Sequence, residues 1–345
     1  TGPLVVTGLT TLNAGSNAIT LNNAGNDFQL AVNATGGNVA LLDGTGGLTL
    51  GDISASGTFA ATSTAGDITQ SSGSTIDVDG ATTLTASDGG SPATDYDITL
   101  LESGNDYGDT VTATGRIIRL SDANALDVVL NASGTSTLTA GGNLAVSGNT
   151  AGLTTTTTGG GTTSYGTTTV TGALSTTSAG AISQTGPLVV TGPAGFDAGT
   201  NDITLDNPGN DFGGLVEATG RNIVIVDRNA LTVVVNATGN ANLLAGGLLD
   251  ATLNVRGNTT LRTTGGGDIR VRGNTTDLDI NSSGRTALET LTIRGTLRLV
   301  SAGAVSGAEG FGLGGDADAD ADADATAGAT DGVGASLLAD GVPAG

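Results

Sequence analysis

Residues 1–28 read TGPLVVTGLTTLNAGSNAITLNNAGNDF, and residues 185–212 read TGPLVVTGPAGFDAGTNDITLDNPGNDF. The match runs on without a gap from Thr1–Asp43 to Thr185–Asp227, with 25 of 43 positions identical. A third copy lies between them, since DITLLESGNDYGDTVTATGR at 97–116 parallels DITLDNPGNDFGGLVEATGR at 202–221. The element Gly-Asn-Asp-aromatic therefore recurs at Gly25–Phe28, Gly104–Tyr107 and Gly209–Phe212. Its spacings of 79 and 105 residues divide by four and five into a finer unit of roughly 20 residues, the scale of a stacked repeat.

That unit is punctuated by glycine. Marker glycines from Gly8 to Gly295 recur about every 22 residues, and short runs rich in Val, Ile, Leu and Thr lie between them. Leu4–Val6, Ile19–Leu21, Ile98–Leu100, Ile223–Val226 and Val233–Val235 read as strands, many alternating with period two. No window shows helical periodicity with caps. A sandwich of this size needs large side chains to fill its core, but only 2% of residues are aromatic. Small side chains stacked every ~4.8 Å suit a narrow solenoid interior instead. The expected fold is all-β: a right-handed parallel β-helix of about 14 coils, roughly 65 Å long. Residues 1–302 form the repeat domain in this reading. Residues 303–345 form an acidic Gly/Ala/Asp-rich tail or linker.

Composition narrows function. The 345 residues include 59 Gly, about 17% against a usual ~7%. There is no Cys, Met, Trp, His or Lys. Disulfides, thiol nucleophiles, imidazole bases and Schiff-base chemistry are thereby excluded. The net charge of −22 disfavours nucleic acid and anionic membranes. No apolar run approaches the ~20 residues of a membrane-spanning helix. The chain opens in mid-repeat on Thr1-Gly2-Pro3, so it is expected to be a piece of a longer array that associates end to end with like chains.

Each polar motif has a structural and a functional reading. Asp27, Asp106 and Asp211 in the aromatic element are candidate calcium or glycan contacts. One carboxylate per turn falls short of the 6–8 oxygens calcium takes, so a turn with an aromatic plug is expected. Phe28, Tyr107 and Phe212 would then fill the interior. Asn33, Asn131, Asn236, Asn258, Asn274 and Asn281 begin Asn-x-Ser/Thr triplets. These read as glycan acceptors or, more simply, as stacked Asn ladders. The Thr154–Thr158 and Thr167–Thr169 runs suit outward positions on a pleated face and are too few for an ice-binding array. Seven arginines, Arg256, Arg262, Arg270, Arg272, Arg285, Arg294 and Arg298, give residues 250–300 a net charge of +2. They read as a patch for acidic polysaccharide or as a face compensated by Asp268, Asp277, Asp279 and Glu289. Asp316, Asp318, Asp320, Asp322 and Asp324 alternate with Ala. The first three match positions 1, 3 and 5 of a helix-loop-helix calcium loop, but Ala321 and Ala327 replace its Gly and Glu. They are weak metal candidates, and no cofactor beyond loose, non-essential calcium is implied. Paired carboxylates could hydrolyse glycans, but no aromatic platform accompanies them, and no enzyme activity is expected.

The repeats quoted above resemble those of filamentous-haemagglutinin-like adhesins, large exoproteins of Gram-negative bacteria, over about residues 1–300. The resemblance implies a β-helical shaft, secreted to the outer cell surface and used in adhesion or biofilm contact. Its partners would be a host or neighbouring cell surface, glycan or matrix. The alternative is a calcium-stabilised surface-layer or matrix protein, whose acidic, Cys-free composition is alike.

Overall fold

A computed structural model describes residues 2–91 and 93–307, with the backbone of 312–313. The described residues are all-β, and their strands stack as a parallel solenoid of about 16 turns. Successive strands alternate between two long parallel sheets. In one sheet Leu215–Gly220, Leu231–Ala237, Leu249–Val255, Ile269–Thr275 and Thr286–Ile293 lie rung upon rung. In the other Ile223–Asp227, Ala241–Ala245, Thr259–Thr263, Leu278–Ser282 and Leu297–Ser301 do the same. The ladder continues to Val305–Gly307, paired with Thr286–Leu288.

The period-two alternation becomes burial directly. In Leu231–Ala237 the residues Leu231, Val233, Val235 and Ala237 point inward, and Thr232, Val234 and Asn236 point outward. Like residues stack between rungs, as in Leu231 on Leu249 on Ile269. Phe28 and Phe212 are each 2% exposed, as the plug reading requires. The threonine run differs from its outward reading. Thr155 and Thr157 face the interior with Thr168, because alternation sends every second residue of a run inward. Their hydroxyls are satisfied there. Thr155 and Thr176 bond the buried Tyr165 hydroxyl, and Thr157 donates to the Gly161 carbonyl.

The turns explain the marker glycines. At one edge, Asn222 accepts the Asn240 amide, Asn240 accepts the Asn258 amide, and Asp277 accepts the Thr296 amide, each through Oδ1. Each Asx side chain thus caps a backbone donor of the next rung. A Cβ on Gly257 would lie 2.4 Å from the Asn240 Oδ1 and 2.6 Å from the Gly239 carbonyl oxygen. Gly257→Ala should therefore displace that cap and cost about 1–2 kcal/mol, measurable as a lower urea midpoint. A midpoint equal to wild type would show that the carboxamide and the Gly239 carbonyl both give way freely. Gly273 serves a different purpose. It sits at φ +107 beside the bulge between Val271 and Gly273. The turn count exceeds the expected 14 because some turns lack the marker. One is the turn at Asn201-Asp202, which lies directly beneath Gly220-Arg221.

Candidate functional site

The Gly-Asn-Asp-aromatic element marks a change in cross-section. Beneath the second copy, the eight-residue strand Leu48–Ala55 carries two short strands, Ile68–Gln70 and Ile76–Val78. Those carry Ile98–Leu100 and Asp106–Tyr107. Ile98–Leu100 continues upward to Ile118–Asp122, but among the described residues no strand lies above Asp106–Tyr107. The third copy repeats this, from Thr163–Val170 through Ile182–Gln184 and Leu188–Val190 to Ile203–Leu205 and Asp211–Phe212. The aromatic strand is thus the last rung of an extra column.

A column that stops leaves an upward amide without a strand to receive it. Here a carboxylate fifteen residues later receives it. Phe28, Tyr107 and Phe212 donate their amides to Asp43, Asp122 and Asp227, at 2.9, 3.0 and 2.8 Å. The same carboxylates accept from Thr45, Asn124 and Asn229. All three are at most 2% exposed. Burial raises each carboxyl above its ordinary value, opposed by the two amide bonds. The motif asparagine closes the lower side. Asn26, Asn105 and Asn210 are buried and accept the Leu4, Ile76 and Leu188 amides. Asn105 and Asn210 also bond Gln70 and Gln184.

The carboxylates proposed from sequence, Asp27, Asp106 and Asp211, lie at the rim. They accept from Gln29, from Asn124, and from Arg228 with Asn229. Among the described residues no group of three acidic side chains is placed to hold a metal. Asp316, Asp318, Asp320, Asp322 and Asp324 lie outside the described residues. Asp43 and Asp227 are aligned in the repeat itself, which was the available signal for their role.

The second copy departs in one atom. Tyr107 puts a buried hydroxyl where Phe28 and Phe212 have none, and that oxygen lacks a hydrogen-bond partner. Burial pushes its phenol far above the ordinary value. Tyr107→Phe should therefore stabilise the fold by about 1 kcal/mol, read as a higher midpoint in chemical denaturation. Destabilisation would reveal an unseen partner for the hydroxyl.

The triplet asparagines divide by environment. Asn236 and Asn274 form a side-chain ladder through Asn254, which begins no triplet, and Asn33 accepts the Asp52 amide. Asn131 and Asn281 are exposed on their strands. The arginines divide too. Arg272 pairs with Asp250 and Glu289, and Arg298 pairs with Asp279. Asp268 and Asp277 instead accept backbone amides, from Arg285 and Thr296. Among the described residues, the compensation expected from charge counting therefore does not reach the guanidinium groups of Arg256, Arg262, Arg270, Arg285 and Arg294.

The fold and its junctions define a repeat-built parallel β-solenoid. The chain belongs to the family "Repeats of unknown function (DUF5649)", which it matches over residues 1–35, 36–114, 151–219 and 220–279. Three matched segments end at Thr35, Thr114 and Thr219, each seven residues past Phe28, Tyr107 or Phe212. These three segments thus carry the junction at a fixed distance from their ends, while the fourth, 220–279, carries none. No curated protein and no solved structure matches the chain significantly.

Proposed function

We propose that the chain is a structural shaft segment of a secreted bacterial surface adhesin of the filamentous-haemagglutinin-like kind. It holds a binding region away from the cell and supports adhesion or biofilm contact. The carrying observation is the unbroken stack of about 16 turns, joined by two continuous parallel ladders. At ~4.8 Å per turn such a stack spans about 75 Å. Each turn contacts its neighbours, so tension along the axis is shared among many hydrogen bonds. Like chains joining end to end is part of this reading. Electron microscopy of the purified chain, with and without calcium, tests the shaft. Isolated or end-joined rods about 75 Å in unit length are expected. A calcium-dependent two-dimensional lattice would replace the shaft with the surface-layer alternative. Antibody labelling of intact producing cells tests location, and signal only after lysis would overturn it.

A further inference from the structure

The interior changes character midway along the rod. Of the buried side chains between Thr150 and Ser178, only Leu153, Val170 and Leu174 are aliphatic, and every other one carries a hydroxyl. The flanking turns are filled differently. In Leu126–Ala132 below, and in Leu231–Ala237 and Leu249–Val255 above, every inward residue is aliphatic. The hydroxyls of the middle turns bond one another. Tyr165 reaches from one sheet to Thr155 and Thr176, which stack on adjacent rungs of the other. At the edge of the same turns Ser178 meets the Thr157 hydroxyl at 3.3 Å and accepts from Thr163 at 3.1 Å.

Three further features loosen the same region. The connection from Thr158 to Thr162 runs through Gly159, Gly160 and Gly161, and glycine gives up the most conformational freedom on folding. The ladder between Leu144–Thr150 and Thr163–Val170 slips register between Val146 and Gly148. Just above, Ile182–Gln184 meets Ile203–Leu205 through the single pair Ile182 and Ile203, whereas Leu231–Ala237 pairs with Leu249–Val255 over its whole length. A buried threonine brings less apolar surface than a leucine, and the hydrogen bonds it makes inside replace bonds to water. In a stack held by nearest-neighbour contacts, turns with a weak interior open separately from the rest. We propose that residues 150–178 form a yield segment, which opens while the aliphatic turns below and above it stay folded. The rod is then two stiff lengths joined by a softer one. Its use rests on the shaft reading: under pull the softer length gives way first and spares the others. The order of local stabilities does not depend on that reading.

The test is native-state hydrogen exchange of the whole chain, followed by mass spectrometry in sub-denaturing urea. Protection factors in Gly152–Thr157, Thr163–Val170 and Leu174–Thr177 should be about tenfold lower than in Leu126–Ala132 and Leu249–Val255. Equal or higher protection would overturn the proposal. So would protection that rises smoothly from both ends to a maximum in this segment, the mark of fraying from the ends alone. A variant locates the cause. T155V/Y165F/T176V replaces three mutually bonded hydroxyls with apolar groups of nearly the same shape, and it leaves no partner unpaired. Protection in the segment should rise about tenfold in this variant, with no change in Leu249–Val255. An unchanged or lower value would overturn the hydroxyl interior as the source of the weakness. The wild-type comparison stands even if the variant does not fold. Exchange reads the same wherever the protein is displayed, so this test and the labelling of intact cells fail separately.

Discussion

Phe212→Ala is expected to lower unfolding free energy by about 3–5 kcal/mol, the largest effect of any single change considered. The ring is 2% exposed and fills the end of the extra column. It also meets Phe196 edge to face, at 6.1 Å between centroids and 80° between planes. Truncation therefore removes buried area, opens a cavity and strips Phe196 of its partner. The rungs beneath it are ladders of main-chain bonds that cannot collapse into the space. Equilibrium urea unfolding followed by circular dichroism measures the loss. A cost below about 1 kcal/mol would mean that the ring is not a structural plug.

Asp227→Asn should cost about 1–3 kcal/mol, because two amides converge on this carboxylate. An asparagine offers one acceptor oxygen and turns its NH₂ toward the other amide. The substitution should also change the pH profile. Burial raises the Asp43, Asp122 and Asp227 carboxyls above their ordinary value of 3.8. Their contribution is full below that value and is lost as pH rises through each raised value. Wild-type stability should therefore fall as pH climbs out of the acidic range, and relief of self-repulsion on acidification adds the same sign. Asp202 opposes the trend at the acid end. Arg221 holds its carboxyl down to about 2, so that pair stabilises above 3.8 and is lost as pH falls through about 2. In the Asp227→Asn variant the fall with rising pH should be shallower. Identical slopes would show that Asp227 does not titrate in this window.

Much of this was legible in the chain because a solenoid writes its geometry into a period. The parallel all-β fold follows from strands such as Val233–Val235 recurring under glycine punctuation. The burial of Phe28, Tyr107 and Phe212 follows from an aromatic at the same place in each Gly-Asn-Asp element of an otherwise small-residue interior. What stayed hidden lies between rungs. Asp43, Asp122 and Asp227 look like ordinary turn residues until the strand fifteen positions earlier is placed against them. The pairing of Arg272 with Asp250 joins residues 22 apart, while Arg270 is left alone. That choice depends on register, which charge counting does not contain. The inward threonines were missed for a related reason. A homogeneous run conceals which of its members alternation turns toward the core.

The junctions also bear on how such an array can change length. From the first to the third junction the chain climbs nine whole turns. From the first to the second it climbs three and a half, so the middle junction is built on the opposite sheet. Division by whole numbers had concealed this half-step. Genetic exchange between the identical octapeptides at 1–8 and 185–192 would excise 184 residues. Every later strand would remain in its own sheet, on a rod about 43 Å shorter. Exchange between the first and second junctions would send each later strand to the other sheet. Whatever faces outward on one side of the rod would then face outward on the other.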